Sequence, residues 1–305
     1  MYIGIDVGGT NLKAGLVDET GKIVKVERIP LDFQGPEAFA ATLAELSRTV
    51  LQEGVQWVGV GLPGAVDGGD VLFTTNIPMK NVPLEKLFRR HLDLPLLLGN
   101  DADCAAVGEF FGGAGKGTQD FAVVTLGTGV GCGLIVNGKL RGGLTSSEAG
   151  HIVIVQDGEP CNCGRKGCWE RYASANALIR QTMAAMDSHK DSAMWGLTGG
   201  DLSRVDGRTA FEAMRKGDAA ARAVVDQYLE YLACGLANFI NIFQPEVIAL
   251  GGGVSHERDE DLLVPLQSMV LEMCFGREAE RHTRLVKAKL GNDAGIIGAA
   301  LLGIQ

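Results

Sequence analysis

MYIGIDVGGTNLKAGLVD, residues 1–18, sets two short apolar runs around an aspartate, two glycines and a threonine. Tyr2–Val7 and Leu12–Val17 are rich in β-branched and apolar residues, so the stretch reads as two strands joined by a Gly turn. Gly8 and Gly9 let the backbone bend sharply and present N–H groups with no side chain in the way, which suits a phosphate. Asp6, closing the first strand, is placed to face a hydrated Mg²⁺, and Thr10, Asn11 and Lys13 add donors. Taken alone, the same residues are equally consistent with a plain hairpin.

Outward from this stretch, strands and helices alternate. Ile23–Ile29 reads as a third strand, and Phe39, Leu43, Leu46 and Val50 give 36–52 a helical spacing. Val55–Leu62 is a buried-type strand ending at Pro63-Gly64. Leu84–His91 reads as a helix, Leu94–Leu98 as a strand and Ala102–Phe111 as a helix, which together indicate an α/β fold. Phe121–Leu140, FAVVTLGTGVGCGLIVNGKL, loosely repeats the opening plan of strand, Gly turn and strand. Two such loops, the second at Gly127, Thr128 and Gly129, can clamp a polyphosphate chain. Residues 171–187 and 209–243 are helical by pattern, and Val247–Leu250 is a strand running into Gly251, Gly252 and Gly253. That third cluster lets a flat nucleoside approach closely or starts a helix at its phosphates. Ala294–Leu302 is a small-residue helix. Neither the dinucleotide fingerprint nor the Walker loop occurs in its required context. The expected division is a first domain of 1–117 with about 291–305, and a second of 118–290 carrying a loop at 151–170.

The 305 residues carry a net charge of −9, which opposes a nucleic-acid partner, since phosphate contacts need clustered Lys and Arg. No secretory signal is visible, and the long uncharged stretch Phe121–Gly138 is broken by glycines, so no membrane span and a cytoplasmic location are expected. Of 7 cysteines, Cys161, Cys163 and Cys168 crowd together, with His151 just before them. Three thiolates and an imidazole close a tetrahedral Zn²⁺ shell with no open position, which makes the zinc structural; three free thiols in a loop are the alternative. Cys104, Cys132, Cys234 and Cys274 lie in apolar contexts and read as core.

IGIDVGGTNLKAGLVD, LPGAV, GNDADCAA, LGTGVGCG, SSEAGH, CNCGRKGCWERYAS and VIALGGGV, in this order, resemble the motifs of the ROK family of sugar kinases and sugar-responsive regulators. The resemblance covers most of the chain. It implies an actin-like ATPase (ribonuclease H-like) fold of two α/β lobes around a cleft, closing on a sugar and ATP. Regulators of this family usually carry an N-terminal helix-turn-helix; none precedes Tyr2, so the kinase branch is expected. Phosphoryl transfer to a sugar needs a carboxylate to accept the hydroxyl proton. By resemblance Asp101 is that base and Asn100 bonds ring hydroxyls; the plain reading of Asp101 is a helix cap. Glu148, His151 and Glu170 are the further hydroxyl partners, Gly64 shapes the pocket with its backbone, and Asn76 adds a contact. His151 would bind zinc through one ring nitrogen and face the sugar with the other. The expectation is an ATP-dependent glucose kinase acting as a homodimer or homotetramer, with ATP, Mg²⁺ and structural Zn²⁺. The alternatives are an N-acetylhexosamine kinase and a non-catalytic sugar-sensing regulator.

Overall fold

The computed structural model of the protein describes residues 1–142 and 147–304, so Ser146 of the SSEAGH motif lies outside the described residues. In chain order the elements are β1 (Tyr2–Val7), β2 (Asn11–Val17), β3 (Ile23–Pro30), α1 (Pro36–Val50), β4 (Val58–Leu62), β5 (Gly64–Asp67), β6 (Asp70–Thr74), β7 (Lys80–Val82), α2 (Leu84–Phe88), β8 (Leu96–Asn100) and α3 (Asp101–Gly112). Next come β9 (Phe121–Leu126), β10 (Val130–Val136), β11 (Lys139–Leu140), α4 (Glu170–Ala173), α5 (Ala175–Ser188), α6 (Ala193–Thr198), α7 (Thr209–Arg215) and α8 (Ala219–Phe243). The chain ends with β12 (Val247–Gly251), α9 (Leu263–Met273), β13 (Arg284–Lys287) and α10 (Ala294–Leu301).

These elements form two units. The first comprises Met1–Val123, Cys132–Ser147 and Ala288–Gln305; the second comprises Val124–Gly131 and Glu148–Lys287. The first boundary falls beyond residue 117 because Phe121 packs on the segment before it: a Cβ on Gly115 would lie 2.7 Å from the Phe121 ring. Two of the sheets are five-stranded. The first sheet has the order β3-β2-β1-β4-β8, the second β11-β10-β9-β12-β13, so the loose sequence repeat corresponds to one strand order used twice.

In the first unit, β1 runs antiparallel to β2 and parallel to β4, and β4 runs parallel to β8. Alternation assigns the two faces of the sheet. Ile3, Ile5, Val58 and Val60 join Phe39, Leu43 and Leu46 of α1 in one core. On the other face Gly4 and Gly59 carry no side chain, and α10 lies directly on the strands: a Cβ at either would come within 2.0 Å of the carbonyl of Ile296 or Ala299, at 1.9 and 1.8 Å. The same helix crosses α3 at a second glycine contact, where a Cβ on Gly298 would meet the Cys104 carbonyl at 1.6 Å.

Two helical stretches are broken where the pattern alone runs on. Ser174 ends α4 and caps α5, its hydroxyl accepting from the Ala177 N–H at 3.1 Å. Gly217, in the left-handed region at φ 86°, separates α7 from α8, and Asp218 caps the latter through the Ala221 N–H at 2.8 Å. The predicted helix 84–91 is regular α-helix over Leu84–Phe88 as α2, and its hydrogen bonding runs on as turns through His91. The small antiparallel sheet β5-β6-β7, and also α6, α9 and β13, carry too little periodicity to be read in advance. Cys104 and Cys132 are buried as expected, whereas Cys234 and Cys274 are only half-buried. Among the described residues no helix is long and apolar enough to cross a membrane.

Candidate active site

In the first unit the register pairs Asp6 with Gly61 and Leu62 with Asn100. Asp6 and the Asn100-Asp101 pair therefore sit at the carboxyl ends of β1 and β8, the parallel strands on either side of β4, where open α/β sheets bind ligands. The cap of α3 is Asn100. Its amide oxygen accepts from the N–H of Ala102 at 2.8 Å and of Asp103 at 3.4 Å, and its amide nitrogen donates to the Gly64 carbonyl at 3.0 Å. Asp101 is the first residue of α3; it is exposed, and its carboxylate is oriented by the Ala102 N–H, 2.9 Å from Oδ1. Asn76 is exposed on the bend between β6 and β7.

Burial raises the Asp6 carboxyl above its ordinary range, with Lys13 opposing. Lys13 lies opposite Asp6 in the β1–β2 register and pairs with Asp293 at 2.6 Å. Gly295 makes room for the carboxyl, since a Cβ there would lie 3.0 Å from Asp6 Cγ. The buried Cys104 thiol is pushed up by burial and then by the charges of Asp103, Asp6 and Asp101, which puts these carboxylates in one neighbourhood. In the opening turn the Gly8 N–H closes the hairpin on the Asn11 carbonyl at 3.0 Å, and Thr10 takes a bond from the Asn11 amide at 2.7 Å. Gly9 and Thr10 are exposed, and a Cβ on Gly9 would touch nothing within 4 Å. Gly9 thus presents the open backbone that both glycines were expected to offer.

In the second unit, Gly127–Gly129 follows β9 and is pinned by the Gly127 N–H to the Gly129 carbonyl at 3.1 Å and by the Ala175 N–H to the Gly127 carbonyl at 2.9 Å. Thr128 is exposed. Gly251 ends β12 buried; Gly252, at φ 83°, and Gly253 are exposed. A Cβ on Gly252 would lie 2.4 Å from the Leu126 carbonyl, so the two glycine clusters are neighbours.

Glu148 precedes the 3₁₀ turn Ala149–His151, which packs on β10 through Gly150, whose Cβ would lie 2.1 Å from the Val130 carbonyl. Nδ1 of His151 lies 3.6 Å from Cys161 Sγ and 4.0 Å from Glu170 Oε1; Nε2 lies 4.0 Å from Glu148 Oε2. The cysteine loop is held by the Cys161 N–H to the Arg165 carbonyl at 2.8 Å and the Trp169 N–H to the Ile152 carbonyl at 2.8 Å. Gly164 and Gly167 take the left-handed turns it needs, at φ 87° and 76°. One ligand atom from each of His151, Cys161, Cys163 and Cys168 falls within 4.8 Å of the others. Four nitrogen and sulfur donors with no open position form a set that would suit a borderline-soft ion such as Zn²⁺. Burial pushes the Cys161 thiol up to about 12, while the Arg165 N–H holds the exposed Cys163 down to about 6. Glu170 opens α4 behind Trp169, which is fully buried against α8 and donates to the Tyr231 carbonyl at 3.0 Å. A Cβ on Gly235 would enter the Trp169 ring at 2.0 Å, so that glycine seats the indole.

Three relations were not legible in the sequence. Cys161 lies 3.1 Å from Glu170 Oε1. Gly129 lies against the other oxygen of the same carboxylate. The buried Glu109 accepts the N–H groups of Ala114, Lys289 and Leu290 at 2.7, 2.7 and 2.6 Å, tying the segment before α10 to α3.

The family model described as ROK family matches residues 2–305. A glucokinase of Thermotoga maritima is 37% identical over 308 residues, 98% of this chain and 95% of that one. A glucokinase of Streptomyces coelicolor is 35% identical over 310 residues, 98% and 96% of the two chains. Among solved structures, a ROK family glucokinase from Streptomyces griseus in complex with glucose and AMPPNP superposes with a TM-score of 0.82 at 36% identity, over 99% of this chain and 98% of that one. The mixed α/β architecture described above is that of the actin-like ATPase fold these kinases share. The chain belongs to the ROK family.

Proposed function

We infer that the protein is an ATP-dependent hexose kinase that converts glucose to glucose 6-phosphate. The observation that carries this reading is the similarity to glucokinases along nearly the whole chain. The geometry of each unit supports a division of roles.

In the first unit Asp101 is the general base: it accepts the proton of the 6-hydroxyl as that oxygen attacks the γ-phosphate. Asn100 holds the strand-to-helix junction that aims Asp101, through its bonds to α3 and to Gly64. Its second amide N–H can serve a ring hydroxyl, with Asn76 as a further contact. Gly9, Thr10, Asn11 and Lys13 present donors to phosphate, and Gly8 sets the turn. Asp6 would face the hydrated Mg²⁺, which supplies charge neutralisation on the phosphates when bound.

In the second unit Gly127–Gly129 binds phosphate and Gly251–Gly253 borders the nucleoside. Glu148, Glu170 and His151 hold the sugar; a carboxylate accepts two hydroxyl hydrogen bonds at once, which suits a vicinal diol. Zn²⁺ would be held by His151 Nδ1, Cys161, Cys163 and Cys168, leaving Nε2–H as a donor of fixed tautomer. Cytoplasmic placement and assembly as a homodimer or homotetramer belong to the same proposal, and light scattering on eluting protein reads the assembly.

A coupled assay of purified protein with ATP, Mg²⁺ and glucose tests the reading. Glucose 6-phosphate at catalytic rates is expected; no phosphorylation of any hexose with ATP, ADP or polyphosphate as donor overturns it.

A further inference from the structure

Gly129 stands in a loop where glycine is ordinarily explained by the phosphates it admits. Its own surroundings give another reason. Its φ lies outside the left-handed region, so the backbone there suits any L-residue. What a side chain would meet is Glu170: a Cβ on Gly129 would lie 2.6 Å from Oε2 and 3.8 Å from Cδ of that residue, with nothing else within 4 Å. Gly127, two residues earlier in the same loop, has nothing within 4 Å of its Cβ position.

The other side of the Glu170 carboxylate is fixed as well. Oε1 lies 3.1 Å from Cys161 Sγ and 4.0 Å from His151 Nδ1. The residue opens α4 directly after the fully buried Trp169, so its backbone has no slack. The carboxylate is therefore confined between the cysteine cluster and the Cα of Gly129. A methyl group at 129 pushes on the end of a flexible side chain, which swings away at little cost to the fold while its oxygens leave their place.

We propose that Gly129 is a positioning residue for the hexose: by carrying no side chain it seats the Glu170 carboxylate in the pose that binds sugar hydroxyls, in addition to any role toward phosphate. This rests on the reading of the protein as a hexose kinase. The phosphate loop then sets sugar affinity even when no nucleotide is bound.

The test measures glucose binding to the full-length protein by calorimetry without nucleotide, in wild type, Gly129→Ala, Gly196→Ala, Glu170→Asp and the double variant Gly129→Ala/Glu170→Asp, with thermal midpoints alongside. Gly129→Ala is expected to weaken glucose at least tenfold, whereas Gly196→Ala, at a glycine of α6 outside the site whose Cβ would meet nothing within 4 Å, keeps the wild-type Kd for glucose. Aspartate is shorter by one methylene and clears the methyl. The Gly129→Ala loss is therefore expected to shrink to under threefold when measured on the Glu170→Asp background. If Gly129→Ala fails to fold, the double variant is expected to recover the folding midpoint of Glu170→Asp alone. Wild-type glucose affinity in Gly129→Ala overturns the proposal. So does an undiminished loss, or an unrecovered midpoint, in the double variant. A wild-type protein that binds no hexose and transfers no phosphate instead overturns the kinase reading beneath it.

Discussion

Nε2 of His151 turns toward the carboxylate of Glu148, 4.0 Å from Oε2, while Nδ1 of the same ring lies among the cysteine sulfurs. An ion on Nδ1 would lock the proton onto Nε2, the nitrogen proposed to face the sugar. Purified protein is expected to hold close to one Zn per chain by mass spectrometry of the metal. Cys163→Ser should lower both zinc content and glucose affinity, the latter about tenfold, the usual scale for disturbing groups that orient a site. Metal-free protein that binds and phosphorylates glucose normally would remove zinc from the account.

Asp101 and Asn100 are adjacent in sequence and separable in effect. Asp101→Asn keeps shape and the Ala102 contact while removing proton acceptance. Turnover is expected to fall by about 10²–10⁴ with glucose binding largely kept. Asn100→Ala deletes the cap of α3 and is expected to cost about 1 kcal/mol of stability. Chemical denaturation and steady-state kinetics on the two variants read these effects apart, and near wild-type turnover in Asp101→Asn would sink the base assignment.

Asp6 trades stability for its position. Burial raises its pKa, so the folded protein holds that proton to higher pH than the unfolded chain does. Within that window the folded state binds more protons, and stability falls as pH rises from the ordinary carboxylate value of 3.8 through the raised one. Asp6→Asn is therefore expected to raise the thermal midpoint at pH 7 by about 1–3 °C, with the gain vanishing below the ordinary carboxylate range. Turnover in the same variant is expected to drop at least tenfold. A midpoint difference that does not change with pH would contradict the burial argument.

Sugar preference follows from pairing. Buried site groups left without their hydroxyl cost about 1–3 kcal/mol each, and an N-acetyl group at carbon 2 exchanges a hydroxyl for a bulkier amide. kcat/KM for glucose is expected to exceed that for N-acetylglucosamine and N-acetylmannosamine at least tenfold, about 1.4 kcal/mol of transition-state binding. Glu170→Gln should narrow the gap, because an amide accepts through one oxygen only. An N-acetylated sugar as the best substrate would replace glucose while leaving kinase activity in place.

The strands at 2–7 and 11–17 and the helix at 294–301 were legible because apolar periodicity and glycine placement are local signals. The break at Ser174 was not, since a serine inside an apolar pattern is equally a helix residue or a cap. The short strands β5, β6 and β7 alternate weakly and border exposed turns, so their pairing carries no sequence signature. At the site, residue types were readable and relations were not. That Asn100 rather than Asp101 caps α3, that Nδ1 of His151 joins the sulfurs, and that Gly129 abuts Glu170 depend on segments brought together only by folding.

The seating of α10 on Gly4 and Gly59 sets an order of events during synthesis. The strands that receive this helix leave the ribosome first, and the whole second unit is made before the helix follows. Until then the strands lack α10 at Gly4 and Gly59, and on that face only α3, through Cys104 at Gly61 and Gly99, is available earlier in the chain. The first unit to be translated is therefore the last to become complete, and a nascent chain halted before residue 294 has a finished second unit beside an unclosed first.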